Sequence, residues 1–303
     1  MSEFQIGINA DSSTLNGSLD VLRNLLDRFK EAGFTAVEIP VHGLECILRG
    51  ILRKTRTREV RKILESYPFS YTVHGPDPLN LTDPFEPDIH DAALRASIEF
   101  TREIGATLVV YHGSFLTTKR SVPVKKSDIF KEEVDRLKAA GEYAEKNGVI
   151  LAVENIFRQR KDEYTYRINP KDLARVIGAV DSPSVGICFD FGHAYISAHE
   201  EGFSFIEAVR AALPYLVHVH IHDNFGVPNP NGMKPLDAFV LGMGDLHLPP
   251  GWGTIPYKDI FPEVLTRYSG VFLFELQPRF SDHYEDAIQW ARGIRMNGNL
   301  TKP

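Results

Sequence analysis

Histidine, aspartate and glutamate recur in this chain at the ends of short apolar, β-branched runs. YTVHG delivers His74, LVVYHG His112, LAVEN Glu154, and ICFDFGH both Asp190 and His193. VHVHIHDN supplies His218, His220, His222 and Asp223; the following GDLHLPPGWG supplies Asp245 and His247; FLFEL supplies Glu275. A run such as LAVE is apolar until its last residue, and a carboxylate buried there is costly unless something pairs with it. Within these motifs the recurring partners are imidazoles and other carboxylates, not Lys or Arg. Carboxylates that converge repel one another unless a cation sits among them. Imidazole plus carboxylate is the donor set of Zn²⁺, Mn²⁺ or Co²⁺, and carboxylate-rich versions take Mg²⁺. Singly, His74 or His112 reads as a hydrogen-bonded core histidine, and Asp190 with His193 as a helix cap and dipole partner. Six strand ends delivering such groups together read as a metal site. His218, His220 and His222 alternate on one strand face and span about 13 Å, so all three cannot serve one ion.

The elements that must position these groups alternate. Eight strands are predicted: Phe4–Asn9, Ala36–Pro40, Ser70–His74, Thr107–His112, Val149–Glu154, Val185–Asp190, Val217–His222 and Val271–Glu275. Between them lie amphipathic helical patterns. Ser18 precedes LDVLRNLLDRFKEAG, whose Leu19, Leu22, Leu25, Leu26 and Phe29 share one face, and Gly33 closes it. Gly105 and Gly148 end two more helices, and Asn169-Pro170 starts another as cap plus first-turn proline. Eight strand-then-helix units specify a single-domain (β/α)8 TIM barrel over residues 1–303, with the chemistry on the C-terminal rim. An open doubly wound sheet is the alternative, but no Gly-rich loop follows the first strand. The long connections Gly113–Lys126 and Asp223–Tyr257 both follow strand C-termini.

Composition bounds the partners. The 303 residues are 43% hydrophobic and 24% charged, enough to bury a large core. The net charge of −6 argues against broad nucleic-acid binding without excluding a local basic patch. No apolar run reaches the ~18 residues of a membrane span, and the N-terminus carries no signal-peptide pattern. Only Cys46 and Cys188 are present, so no disulfide framework is expected. These features place the chain in the cytoplasm; a homo-oligomer is possible.

Over essentially its whole length the chain resembles the xylose-isomerase-like barrel superfamily, which includes sugar isomerases and epimerases and the apurinic-site endonucleases. The motifs that carry the resemblance are VEN at Glu154, D-x-x-H at Asp190 and His193, H-x-x-D at His220 and Asp223, D-x-H-x-x-x-G-x-G-x-I from Asp245 to Ile255, and the last-strand Glu275. The epimerase branch implies one divalent ion held by Glu154, Asp190, His220 and Glu275. Glu154 and Glu275 then remove and return a proton beside a carbonyl through an enediolate, and His193 contacts the substrate. The endonuclease branch implies three zinc ions on nine ligands: His74, His112, Glu154, Asp190, His193, His220, Asp245, His247 and Glu275. One to three divalent ions per chain follow.

Three departures favour the first branch. Asp77-Pro78 stands where the endonucleases carry an apolar wedge that enters the DNA stack. A bulky NIFRQRKDEYTY replaces their Gly-rich turn, and His112-Gly113-Ser114 replaces their His-Pro-Gly. Against the epimerases, Gly226 stands where they place an Arg after the strand-seven His. The expected function is a sugar or sugar-phosphate isomerase or epimerase, with a phosphodiesterase as the alternative. Trp252, Arg158 and Glu38 are candidate substrate contacts, and Glu38 or Asp223 can instead orient a ligand His. Lys119, Arg120, Lys125 and Lys126 form a basic loop suited to a phosphate, with Arg160 and Lys161 similar. Ile47, Leu48, Ile51 and Leu52 are expected to pack on the barrel.

Overall fold

A strand whose two faces meet different neighbours is read by its alternation. In a computed structural model, described for residues 5–117, 126–158, 163–229 and 232–297, Val109, Tyr111, Leu151 and Val153 join the large core shared with the helices. Leu108, Val110, Ala152 and Cys188, one step out of phase, form a separate small cluster on the opposite strand face. That second face lines the interior of a closed barrel.

The barrel strands are β1 (Ile6–Asn9), β2 (Ala36–Pro40), β3 (Ser70–His74), β4 (Leu108–Tyr111), β5 (Ile150–Glu154), β6 (Val185–Asp190), β7 (Leu216–Ile221) and β8 (Phe272–Phe274). Each pairs in parallel with the next, and Ile6 opposite Phe272 closes the ring. The (β/α)8 barrel is therefore the fold, and not an open sheet. His112, His222 and Glu275 fall just past their strands rather than within them. Pairing ends where the backbone leaves the ladder, although the Glu275 N–H still donates to Ile221 O at 3.1 Å.

Helix boundaries follow local chemistry. Ser18 Oγ accepts from Val21 N at the start of Leu19–Ala32, and Gly33 ends it at φ 97°. Asn169 accepts from Lys171 N with Pro170 in the first turn of Pro170–Val180. The outer layer buries Leu22, Leu26 and Phe29 of the first of these helices and Leu173, Val176 and Ile177 of the second. None of the described helices is long and apolar enough to cross a membrane.

One expectation is corrected. Ile47–Leu48 and Ile51–Leu52 form a two-stranded antiparallel hairpin, not a barrel-packing amphipathic turn. Ile47 and Leu52 pack against the core, whereas Leu48 and Ile51 are 69% and 70% exposed. The pleat sends alternate residues to opposite faces, so only half of the quartet can face the protein. In the β4 loop, Leu116–Thr117 pairs antiparallel with Glu163–Tyr164 of the β5 loop. Lys119, Arg120, Lys125, Arg160 and Lys161 lie outside the described residues, and Lys126 opens the helix Lys126–Lys146.

Candidate metal centre at the barrel mouth

Parity places the ionisable groups. On β5, Glu154 lies two residues beyond Ala152 on the interior face; on β6, Asp190 lies two beyond Cys188. In the parallel register Asp190 stands opposite His220, and Glu38 stands opposite Thr72. One donor atom each from Glu154, Asp190, His220 and Glu275 lie within 4.8 Å of one another. His220 Nδ1 is 3.3 Å from Glu154 Oε1 and 3.4 Å from Glu275 Oε1. All four residues are buried.

Two further groups adjoin this one. His74 and His112 bring their Nε2 atoms to 3.1 Å from each other, and to 3.6 and 3.3 Å from Glu154 Oε2. On the other side, His193 Nε2 and His247 Nε2 lie 3.2 and 2.7 Å from Asp245 Oδ2. All nine positions of the widest ligand set thus meet at one mouth. Asp190 serves two roles at once. Its Oδ1 caps the helix Phe191–Glu201 by accepting from His193 N, and its Oδ2 faces His222 at 3.2 Å.

The electrostatics is reciprocal. Burial pushes the Glu154 carboxyl upward, but His220 and His112 outweigh this and hold it well below the usual range. Glu38 and Asp245 are lowered in the same way by their imidazoles. Burial opposes charging of His74, yet Glu154, Glu38 and Asp77 raise it to about 10. Asp245 likewise lifts His247 to about 9 against its burial. His193 and His220 rise well above the ordinary value, whereas burial keeps His218 below it.

The donor chemistry fits a divalent cation. Glu154 Oε2 and Asp245 Oδ1 are buried with no aligned hydrogen-bond donor, although imidazoles surround both carboxylates. Among the described residues lining the cleft of about 250 Å³ none is Lys or Arg. The carboxylates are therefore neighboured at the cleft by imidazoles, which can give up their protons to a metal ion, and not by permanently charged Lys or Arg.

Several neighbours were less legible. Glu38 is buried: its Oε2 accepts from Thr72 Oγ1 at 2.9 Å and lies 3.1 Å from His218 Nε2, and its Oε1 lies 3.0 Å from His220 Nε2. Its contacts hold the far side of the His220 ring, and it also borders the cleft. Arg158 pairs with Glu201 at 2.7 Å, and Trp252 packs against Phe280 and His283 at 40% exposure. Neither residue lines the cleft.

Asp223 is not bonded to His220 or His247. Its carboxylate accepts backbone N–H groups from Asn224, Gly251 and Ile255. A Cβ on Gly253 would sit 2.3 Å from Asp223 Oδ1, so this turn closes around the carboxylate only with glycine there. Paired backbone bonds between Asp223 and Leu248, at 2.8 and 3.0 Å, then fix the chain beside His247. That arrangement explains why the aspartate after His220 and the G-x-G-x-I run occur together.

Asn9, Asp11, Ser12, His42 and Phe157 also line the cleft. Asn9, the last residue of the first strand, and Asp11 and Ser12 just after it are polar, a signal that was available in the sequence. His222 was visible as a strand end, but only the fold brings it to Asp190 and Asp245.

Comparison with known proteins gives two kinds of match. An uncharacterized protein of Methanocaldococcus jannaschii is 24% identical over 84% of this chain and 78% of its own. A probable endonuclease 4 of Mesomycoplasma hyopneumoniae is 26% identical over 60% of this chain and 62% of its own. Among solved structures, a D-tagatose 3-epimerase-like protein superposes with a TM-score of 0.72 at 23% identity, covering 96% of this chain and 97% of that one. The family model for the xylose isomerase-like TIM barrel matches residues 26–294. With barrel, rim and motifs in agreement, the chain belongs to the xylose isomerase-like TIM barrel family.

Proposed function

We propose that this protein is a divalent-metal-dependent sugar isomerase or epimerase that moves a proton next to a carbonyl. The observation that carries the reading is the convergence of Glu154, Asp190, His220 and Glu275 within 4.8 Å. These four residues would hold the ion. A divalent ion bound there supplies Lewis-acid stabilisation of negative charge developing on a hydroxy-ketone. Glu154 and Glu275 face the same small space, and each carboxylate can take a proton from carbon or return one. His193, with its ring 5.2 Å from Phe157, stands at the cleft wall to contact the substrate.

The absence of Lys and Arg among the described lining residues favours a neutral sugar over a phosphorylated one. Solvent-deuterium incorporation into a panel of ketoses and aldoses tests the activity. Exchange into at least one sugar that requires added Mn²⁺, Mg²⁺, Co²⁺ or Zn²⁺ is the expected result. No exchange with any sugar under any metal rejects the reading.

The second reading, a multi-zinc phosphodiesterase, is favoured by the meeting of all nine candidate ligands and by the endonuclease-like relative. Incision of an abasic-site duplex by purified protein would select it. Asp77, whose side chain is 59% exposed at the cleft, is a poor wedge for a base stack and argues against it.

A further inference from the structure

Glu154, Asp190, His220 and Glu275 come from β5, β6, β7 and the end of β8, consecutive strands of the ring. The ends of β1 and β2 lie on the rest of the mouth, and β1 stands four strands from β5 in either direction. A sugar whose reacting end is held by an ion at β5 to β8 leaves its remaining carbons to that other side. Its described lining there is Asn9, Asp11 and Ser12 after or at the end of β1, and His42 after β2. Burial keeps His42 below the ordinary imidazole value, so it brings no positive charge to this wall.

Two side chains of the wall are pinned so that one polar atom of each stays free. Asn9 Oδ1 accepts from Leu276 N at 3.2 Å, beside Glu275, which leaves Nδ2 as the donor. Asp11 caps the short helix Ser12–Leu15 with Oδ1 alone: it accepts from Thr14 N at 2.7 Å, Ser13 Oγ at 2.6 Å and Thr14 Oγ1 at 2.8 Å. Asp11 Oδ2 is left as the acceptor, and neither it nor Asn9 Nδ2 has a partner among the described residues. The turn that carries His42 packs directly on this segment. A Cβ on Gly43 would lie 2.8 Å from Ser12 Cα, and Gly43 O accepts from Gly17 N at 2.9 Å.

We propose that Asn9 and Asp11 read the far end of the sugar, Asn9 Nδ2 donating to one hydroxyl and Asp11 Oδ2 accepting from another, so that a free hydroxyl end is taken and a phosphorylated end is refused. The inference rests on the isomerase reading, which fixes where the reacting end lies. A hydroxyl both donates and accepts, and so satisfies a fixed donor beside a fixed acceptor. A phosphate dianion offers acceptors only and sets its charge against the Asp11 carboxylate. Because backbone N–H groups already hold both side chains, little rotamer freedom is lost when the sugar binds. Ile156 and Phe157, beyond β5, give the carbon-bound hydrogens of the sugar an apolar surface.

The test titrates Mn²⁺-loaded protein with the D-ketohexoses fructose, tagatose, psicose and sorbose, each free and as its 6-phosphate. Paramagnetic broadening of the sugar NMR signals reads binding apart from turnover. At least one free sugar should bind ~10-fold or more tightly than its phosphate. Asp11→Asn keeps an oxygen to cap Thr14 N but replaces the charge and the free acceptor with an amide. It should bring that ratio ~10-fold closer to parity. Asn9→Asp keeps the bond from Leu276 N but removes the donor, and should weaken the free sugar by ~3–10-fold at saturating metal. A phosphate that binds wild type as tightly as its free sugar overturns the inference, and so does an unchanged ratio in Asp11→Asn or an unchanged affinity in Asn9→Asp. Metal-dependent exchange that persists alongside such a result leaves the isomerase reading standing. Neither binding nor exchange with any of these sugars rejects both.

Discussion

Glu154 at the barrel mouth and Glu133 behind the fourth strand are both buried, yet their electrostatic fates are opposite. Burial raises both. At Glu154, His220 and His112 reverse the sign and hold the carboxylate charged. At Glu133, the Ser114 N–H at 3.3 Å and a more distant Arg167 only soften the rise, and its pKa stands at about 7. Arg167 is committed elsewhere. Its guanidinium donates to Glu163 Oε1 at 2.7 Å and to His112 O at 2.9 Å, tying the β5 loop to the end of β4. Burial sets the penalty, and the company a carboxylate keeps decides whether it is charged. The mouth gathers carboxylates with imidazoles and so favours cations and proton transfer. The region behind β4 uses a neutral-leaning acid and one arginine to hold the mouth in shape.

The largest effect expected on this contrast is chemical. Glu275→Gln should lower proton exchange from a sugar by ~10²–10⁴-fold, read by deuterium incorporation, with little change in melting. Near-wild-type exchange would remove Glu275 from the acid/base role. Next comes the supporting region. Arg167→Met removes the 2.7 Å ion pair to Glu163 and the 2.9 Å bond to His112 O, so stability should fall by ~3–5 kcal/mol in urea melts. A change below ~1 kcal/mol would mean that Arg167 does not hold the β5 loop to the end of β4.

Metal uptake should be strongly pH-dependent. Neutral imidazoles are needed for ligation, and His74 at about 10 and His247 at about 9 are protonated at neutral pH in the metal-free protein. Binding therefore releases protons and weakens as pH falls below about 9. Calorimetry in two buffers of different ionisation enthalpy reads the release, and equal heats in both would contradict it.

The smallest effect is at Glu133. Its folded pKa of about 7 exceeds the ordinary 4.5, so the folded chain keeps a proton that the unfolded chain has lost. Stability from this group is full below about 4.5 and declines toward pH 7, by up to ~1.4 kcal/mol per pH unit. Glu133→Gln should flatten that decline in urea midpoints measured at pH 5 and pH 8. An unaltered slope would show that water reaches the carboxylate.

Much of the fold was legible because barrel strands announce themselves locally. Apolar β-branched runs, capping Ser18 and Asn169, and terminal Gly33, Gly105 and Gly148 placed strands and helices to within a residue or two. The Ile47–Leu52 segment misled because four apolar residues in six carry no signal of which pairs across a turn. Trp252 and Arg158 were named for their type and proximity in sequence. Their partners, Phe280 and His283 for one and Glu201 for the other, are distant in the chain and invisible to local reading.

The sequence by itself determined the alternation of elements and the delivery of His, Asp and Glu to one rim, because strand period and burial cost are local properties. Only the tertiary structure decided grouping: that His218 turns to Glu38, His220 to Glu154 and Glu275, and His222 to Asp190 and Asp245. Three identical residues on one strand face acquire different, partly overlapping sets of partners, with Glu38 shared by His218 and His220, because barrel closure and strand stagger set the neighbours at each height, and no spacing rule along the chain contains that information.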